Sequence, residues 1–252
     1  MNASLEGRVA FISGAGHGIG RATALAMARL GATVGVNDLK QEFVEEACAQ
    51  IRALGGKAIA LPRDVSSREG MREAVMQLAR EAGRLDIMVN NAAWVRYQPL
   101  AEITPEVMDR MVEIGFKSVI WGIQAAAEAM DAERGGTIVN VASIAGFKSP
   151  TRSVVYSGIK AGVLGITRAA AADLGGRNIR VNAVAPGAVP TEGTAKHRNA
   201  ELDARRIART PLRRLGTVEE IADAICFLAG DAARFLNAEV LRLDGGASET
   251  SL

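Results

Sequence analysis

Seven short apolar or β-branched runs alternate with longer stretches of helical periodicity along this chain, and no other feature restricts its folding as strongly. The runs are Arg8 to Ser13, Thr33 to Asn37, Ala58 to Pro62, Ile87 to Asn90, Thr137 to Val141, Arg180 to Ala185 and Val240 to Leu243, with the first helical stretch at Gly18 to Leu30. They are nearly continuous rather than alternating in polarity, as strands are when helices cover both faces of a sheet. The pattern predicts an α/β chain built on a doubly wound parallel sheet of about seven strands. No linker or internal repeat interrupts it, so residues 1–252 are expected to form a single domain. One stretch, 188–210, is polar and charged, shows neither sheet nor core pattern, and precedes a helix that starts near Thr217. It reads either as a mobile flap over a substrate or as a solvated helical insertion.

Composition agrees with that class and excludes others. Apolar residues make up 48% of the chain and charged residues 23%, which is neither a disordered nor a fibrous profile. A formal charge of +2 over 252 residues gives no electrostatic footprint for nucleic acid or an anionic membrane, so a small molecule is the expected partner. The two cysteines, Cys48 and Cys226, form neither a disulfide framework nor a metal-ligand cluster, and no metal is expected. Met1 to Gly7 lacks the basic start and apolar run of a secretory signal, and no window is long enough to span a bilayer. A cytoplasmic location is therefore expected. The closing Thr250, Ser251 and Leu252 resemble a peroxisomal tripeptide only superficially, because the first position carries no positive charge.

Directly after the first strand comes Ser13, Gly14, Ala15, Gly16, His17, Gly18, Ile19, Gly20 and then an Ala-rich helix. Glycines at a strand-to-helix turn let the backbone bend sharply and let a diphosphate approach the helix amides closely. This placement points to a Rossmann-type dinucleotide site. The second strand leads into Asp38, at the spacing expected of a carboxylate that accepts hydrogen bonds from the adenosine ribose. That carboxylate repels a 2′-phosphate, and no Arg stands beside it, although Lys40 is close; NAD is favoured over NADP. Asp64 and Val65 follow the third strand and Asn91 and Ala92 the fourth, all at the carboxyl edge where open α/β sheets bind ligands.

Tyr156 and Lys160 stand four residues apart in a helical stretch and so share one face. A phenol with its ordinary pKa of about 10 is a poor base at neutral pH, and a nearby ammonium favours its ionised form. A surface pair is the commoner origin of such spacing, but Ser143, just after the fifth strand, shares the ligand edge. An alcohol losing hydride must also lose a proton, and a phenolate with a hydrogen-bonding Ser supplies the two contacts its oxygen needs.

Together these motifs resemble the short-chain dehydrogenase/reductase family, over essentially the whole chain. The resemblance rests on Gly14, Gly18 and Gly20, on Asn90, Asn91 and Ala92, on Ser143 with Tyr156 and Lys160, on Pro186 and Gly187 leading to Thr191, and on the closing Asp244, Gly245 and Gly246. It implies catalysis by Ser143, Tyr156 and Lys160, with Lys160 also on the nicotinamide ribose. It implies further that Val189 and Thr191 hold the carboxamide, that Asp64, Val65 and Asn91 line the adenosine side, and that His17, Ile19, Ala92, Pro186 and Gly187 border the cofactor. One position departs: where the family usually has Asn, in a stretch like Val-Asn-Leu-Lys-Gly, this chain reads Ile114, Gly115, Phe116, Lys117, Ser118. Gly115 keeps a backbone carbonyl, the group through which that Asn is thought to act, while loosening a helix interior by roughly 1 kcal/mol.

The expected activity is NAD-dependent interconversion of a secondary alcohol and a ketone. Trp94, Tyr97, Ile144 and Phe147 are expected to face the substrate, a mostly apolar set that suits a cyclic or aromatic alcohol, although core packing is an ordinary alternative for Trp94 and Phe147. Gly158, Ala161, Gly162, Gly165, Ala169, Ala170 and Ala171 line the helix of Tyr156 with small residues, and the resemblance implies a homotetramer. Two other functions stay open. A 3-oxoacyl-(acyl-carrier-protein) reductase would dock its acidic carrier on Arg205, Arg206, Arg209, Arg213 and Arg214. A noncatalytic NAD-binding sensor is suggested only by Gly115.

Overall fold

A computed structural model of the chain describes residues 4–197 and 199–250, so Met1 to Ala3, Arg198, Ser251 and Leu252 fall outside the described residues. The start of the stretch Met1 to Gly7 and the last two residues of the terminal tripeptide are among them. The described strands are β1 (Val9–Ile12), β2 (Thr33–Asp38), β3 (Lys57–Pro62), β4 (Ile87–Asn90), β5 (Gly136–Val141), β6 (Ile179–Pro186) and β7 (Val240–Leu243). Every pairing between them is parallel, in the order β3-β2-β1-β4-β5-β6-β7. The strand order reverses between β1 and β4, and that crevice is where a doubly wound sheet opens for a ligand.

Helices α1 (Gly18–Arg29), α2 (Gln41–Ala53), α3 (Arg68–Ala82), α4 (Pro105–Val112), α5 (Ser118–Ala129), α6 (Val154–Leu174), α7 (Ala200–Ala208) and α8 (Val218–Ala229) follow in chain order. The pleat of β1 divides the core in two. Ala10 and Ile12 pack with Met27 of α1, Ile51 of α2 and Ile225 of α8, while Val9 and Phe11 pack with Leu78 of α3, Ile123 of α5 and Val163 of α6. Burial on both faces explains why these strands carry no polar alternation.

The ends of the helices follow side-chain chemistry. Ser67 accepts the amide of Gly70 at the start of α3, and Gly83 closes that helix in the left-handed conformation at φ 79°. Thr217 and Glu220 form a reciprocal capping box on α8.

The stretch 188–210 is less irregular than its sequence suggests. It holds a 3-10 turn, Glu192–His197, and then α7, capped by Asn199, whose side chain accepts the amide of Leu202. Among its described residues α7 buries none, so no run of core positions marks it in the sequence. Among the described residues no helix is long and apolar enough to cross a membrane.

Candidate active site

The carboxyl ends of β1, β4, β5 and β6 bring the predicted residues to one edge. At β1, Ser13 leads into the glycine turn, and its hydroxyl oxygen accepts the amides of Asn91 and Ala92, each at 3.0 Å. The Asn91 side-chain amide in turn donates to the carbonyls of Ser13 and Gly14, at 2.9 and 3.0 Å. Asn91 thus holds the shape of the glycine turn, and Ser13, which the sequence reading passed over, is its partner. A polar residue closing an otherwise apolar strand was the available signal. Gly20 admits no side chain, because a Cβ there would stand 2.2 Å from the Gly14 carbonyl oxygen.

Asp38 lies beside the turn: its carboxylate accepts the amide of Gly16 at 3.2 Å and that of Lys40 at 3.4 Å. The Lys40 ammonium sits over the Phe43 ring, 4.9 Å from its centroid. Asp64 accepts the amide of Ser66 at 2.8 Å, a local turn, and the Val65 side chain is buried in the core, so only its backbone is left for a ligand. Ile19 and Ala92 are half-buried against the two core layers, and His17 meets Phe43 edge to face. On the far side of the crevice, Pro186 ends β6, Gly187 donates to the Leu243 carbonyl at 2.9 Å, and Val189 packs on the core. Thr191 reaches the glycine turn, its Cβ 3.3 Å from the place a Cβ on Gly18 would take.

The turn is also a site for an anion. The Gly18 amide at the start of α1 donates to the Glu192 carboxylate at 3.1 Å, and Arg21 forms an ion pair with the same group. A carboxylate held there stands in for a phosphate, since both are anions drawn by the amides and the positive end of a helix. The residues present therefore fit a dinucleotide. Among the described residues no group of His, Cys, Asp and Glu is arranged to hold a metal ion.

The second cluster hangs from β5 and α6. Ser143 follows β5, its oxygen accepts the Ala145 amide at 3.1 Å, and its hydroxyl faces the Tyr156 phenol closely enough to favour the ionised form. Lys160 is buried, donates to the Val141 carbonyl at 2.7 Å, and holds its ammonium 5.8 Å from the centre of the Tyr156 ring. The turn after Ser143 can lie directly on α6 because residue 146 is Gly; a Cβ there would stand 2.9 Å from the Lys160 backbone. A buried polar chain fixes the helix on the sheet: Asn90 donates to Asn140 at 2.9 Å, Asn140 to Thr167 at 2.9 Å, and Thr167 to the Val163 carbonyl at 2.8 Å.

Burial decides the protonation of this cluster. It pushes the Tyr156 phenol well above its ordinary value, Tyr97 adds to that, and the Ser143 hydrogen bond opposes it. Lys160 is brought down to about 8 by burial. With its ammonium turned to the Val141 carbonyl, Lys160 does not offset the desolvation of the phenol.

Of the expected substrate residues, Tyr97 packs on the cluster through its ring, which meets that of Tyr156 edge to face at 5.7 Å. Trp94 lies under the Arg110 guanidinium, 4.4 Å from its ring centre, and Phe147, 46% exposed, lies under Arg242 at 4.9 Å. Ile144 is half-buried in the turn after Ser143. The expected apolar wall therefore carries two cations. Gly115 falls within a π-helical turn, Glu113–Lys117, that joins α4 to α5. A cleft of about 450 Å³ lies between Thr210, Leu212, Glu220 and Arg242 and is lined by none of Ser143, Tyr156 and Lys160.

A family model described as enoyl-(acyl carrier protein) reductase matches residues 14–248. The 3-oxoacyl-[acyl-carrier-protein] reductase FabG of Thermotoga maritima is 38% identical over 96% of this chain and 98% of its own. Cyclopentanol dehydrogenase of a Comamonas species is 37% identical over 95% of this chain and 96% of its own. A 7α-hydroxysteroid dehydrogenase solved with NADH and 7-oxo glycochenodeoxycholic acid superposes with a TM-score of 0.94, at 32% identity, covering 99% of this chain and 97% of that one. Sheet, glycine turn and likeness together define an oxidoreductase that acts on alcohols or ketones with a nicotinamide cofactor. Within that class, the chain belongs to the short-chain dehydrogenase/reductase family.

Proposed function

We propose that the protein is an NAD-dependent dehydrogenase that interconverts a cyclic secondary alcohol and its ketone, with Ser143, Tyr156 and Lys160 as its catalytic residues. The observation that carries the reading is that the Ser143 hydroxyl faces the Tyr156 phenol, with the buried Lys160 ammonium 5.8 Å from the centre of its ring, on the same sheet edge as the glycine turn. In the oxidative direction the substrate hydroxyl gives its proton to the Tyr156 oxygen while Ser143 holds the substrate oxygen by a hydrogen bond. In the reductive direction the protonated phenol, the form that burial favours here, returns the proton to the ketone oxygen. The chemistry NAD supplies when bound is acceptance of the hydride, together with a positive charge that offsets the burial of the phenolate. The residues that would hold it are Gly14, Gly18, Gly20, Asp38, Asn91, Lys160 and Thr191.

NAD is preferred over NADP on the Asp38 carboxylate, which borders the turn while the Lys40 ammonium is occupied over Phe43. A ring-shaped substrate is supported by the aromatic edge that Tyr97 presents to Tyr156 and by relatives named for cyclopentanol and a hydroxysteroid. The likeness to a 3-oxoacyl reductase supports a second reading, with an acidic carrier docked on the arginines of 205–214. Of those, Arg206 pairs with Asp203, Arg213 donates to the Ala208 carbonyl and Arg214 pairs with Glu220, which leaves the cluster less charge for a carrier. The reading includes a homotetramer packed through α6, where Gly158 and Gly165 look into open space while Gly162 already accommodates Phe116. Light scattering tests the assembly, and a monomeric mass removes it.

The deciding test is a panel of cyclic secondary alcohols with NAD and NADP, read by absorbance of the reduced nicotinamide. Oxidation with NAD at least tenfold more efficient than with NADP is expected, on the order of the cost of opposing like charges at close range. Reduction of an acyl thioester by NADPH, with no alcohol oxidised, would replace this reading by the second.

A further inference from the structure

We propose that Glu192 is a built-in competitor for the cofactor's diphosphate, so that its carboxylate and the cofactor hold the start of α1 in turn. The inference rests on the nicotinamide-cofactor reading above and adds to it a residue that sets the affinity. Glu192 opens the 3-10 turn 192–197 and follows Thr191 directly. One of its carboxylate oxygens accepts the Gly18 amide at 3.1 Å, and the other is paired with Arg21. Burial pushes this carboxyl up, but its own backbone amide, Arg21, the Gly18 amide and His17 outweigh that and hold it below the ordinary carboxylate range. Glu192 is therefore an anion at neutral pH.

The Gly18 amide belongs to the turn that a diphosphate must approach, and one N–H cannot serve two anions at once. A dinucleotide seated there displaces the carboxylate and then repels it. The rest of the turn lies across the same opening, since a Cβ on Gly193 would stand 3.5 Å from the His17 ring. Release costs little at Arg21, because Glu46 of α2 holds the same guanidinium at 3.1 Å and remains when Glu192 leaves. Arg21 thus keeps a partner in both states. Occupancy of the cofactor site is in this way passed to the turn that begins at Glu192.

The test compares the natural chain with Glu192→Gln, which keeps the size and removes the charge, and with Glu192→Ala. NADH binding is followed by its fluorescence, and binding of ADP-ribose and of adenosine by calorimetry. Both variants are expected to bind NADH and ADP-ribose about threefold to tenfold more tightly, the range a carboxylate at a helix start is worth. Adenosine, which carries no diphosphate, should bind equally to all three proteins. Unchanged or weaker NADH binding by Glu192→Gln overturns the proposal, as does equal tightening of adenosine, which would indicate a general opening of the segment. Failure of all three proteins to bind NADH overturns the cofactor reading itself and this inference with it.

Discussion

The two halves of the ligand edge are built on different principles. Around β1 and β4 the edge is made largely of backbone: the Asn91 side chain holds the Ser13 and Gly14 carbonyls, the Ser13 hydroxyl accepts the Asn91 and Ala92 amides, and at Gly20 a side chain is excluded by contact. Around β5 and α6 the working groups are side chains, and burial sets their chemistry. In the first half a residue is fixed by the space it must not fill. In the second it is fixed by the charge it must carry under desolvation. The difference teaches where substitutions act: in the first half they move the backbone and weaken binding and stability together, whereas in the second they remove chemistry from an intact frame.

Tyr156→Phe is the sharpest way to break that contrast. It removes only the hydroxyl that meets Ser143 and leaves the ring against Tyr97. Turnover of a good alcohol is expected to fall by about a hundredfold to ten-thousandfold, the range of a positioned acid or base, with NADH affinity within a few-fold. Undiminished turnover would dissolve the distinction, because the second half would then not depend on its side-chain chemistry.

Gly20→Ala probes the first half and should do the opposite. The added Cβ would stand 2.2 Å from the Gly14 oxygen and 2.5 Å from the Asn91 side-chain nitrogen, so the turn must shift. A stability loss of about 1 to 3 kcal/mol is expected in denaturant unfolding, as for other overpacked sites, with weaker NADH binding alongside it. Lost affinity at unchanged stability would show that the turn is not propped as tightly as its contacts indicate.

This contrast also explains which parts of the molecule were legible in the sequence. The strands were placed to within one or two residues, as Thr33 to Asn37 against the observed end at Asp38 shows, because continuous apolar runs report burial on two faces. The glycine turn and the Tyr156 and Lys160 pair were legible because their spacing is local. The chain Asn90, Asn140, Thr167 was not, since its members lie 50 and 27 residues apart and meet only through the strand order. Nor was the state of Lys160. A sequence shows that an ammonium stands four residues from a phenol, not that it points to Val141 and is nearly dry.

That burial gives the next expectation, one spread over a range of pH. Lys160 titrates near 8 in the folded chain against an ordinary 10.5, so below pH 8 its burial costs stability in full. Between pH 8 and 10.5 the unfolded chain binds more protons than the folded one, and stability rises with pH by a contribution of about 3 kcal/mol. Tyr156 and Cys226, whose thiol burial and Asp223 push up to about 12, act in the opposite sense at alkaline pH. The difference between the natural chain and Lys160→Met therefore isolates the lysine. Unfolding in denaturant should show Lys160→Met the more stable at pH 7, with its advantage shrinking from pH 8 to 10. A constant difference would mean that the ammonium is solvated.

The smallest effect is expected at Gly115, where the two principles meet on one residue. Its π-helical turn persists without a side chain that could impose it, and the neighbouring Ser118 hydroxyl donates to the Ile114 carbonyl at 2.6 Å, which supports the irregular backbone from within. The frame is thus kept by backbone and packing, as in the first half, at a place where the family usually carries a side chain. A Cβ on residue 115 would stand 3.1 Å from Cγ2 of Ile159, a flexible neighbour next to Lys160 on α6. Ile159 must yield by a few tenths of an ångström, while Ala relieves the entropy cost of a helical Gly by about 1 kcal/mol. Gly115→Ala should therefore change stability by less than about 1 kcal/mol and turnover by less than about threefold, because neither the approach of Ser143 to Tyr156 nor the Lys160 bond to Val141 involves this side-chain position. Gly115→Asn places a longer group in the same space and should behave alike in turnover. If instead the natural chain bound NADH without turning over any alcohol and Gly115→Asn started catalysis, the assembled cluster would be a cofactor sensor lacking one part, and side-chain chemistry would rule this turn after all.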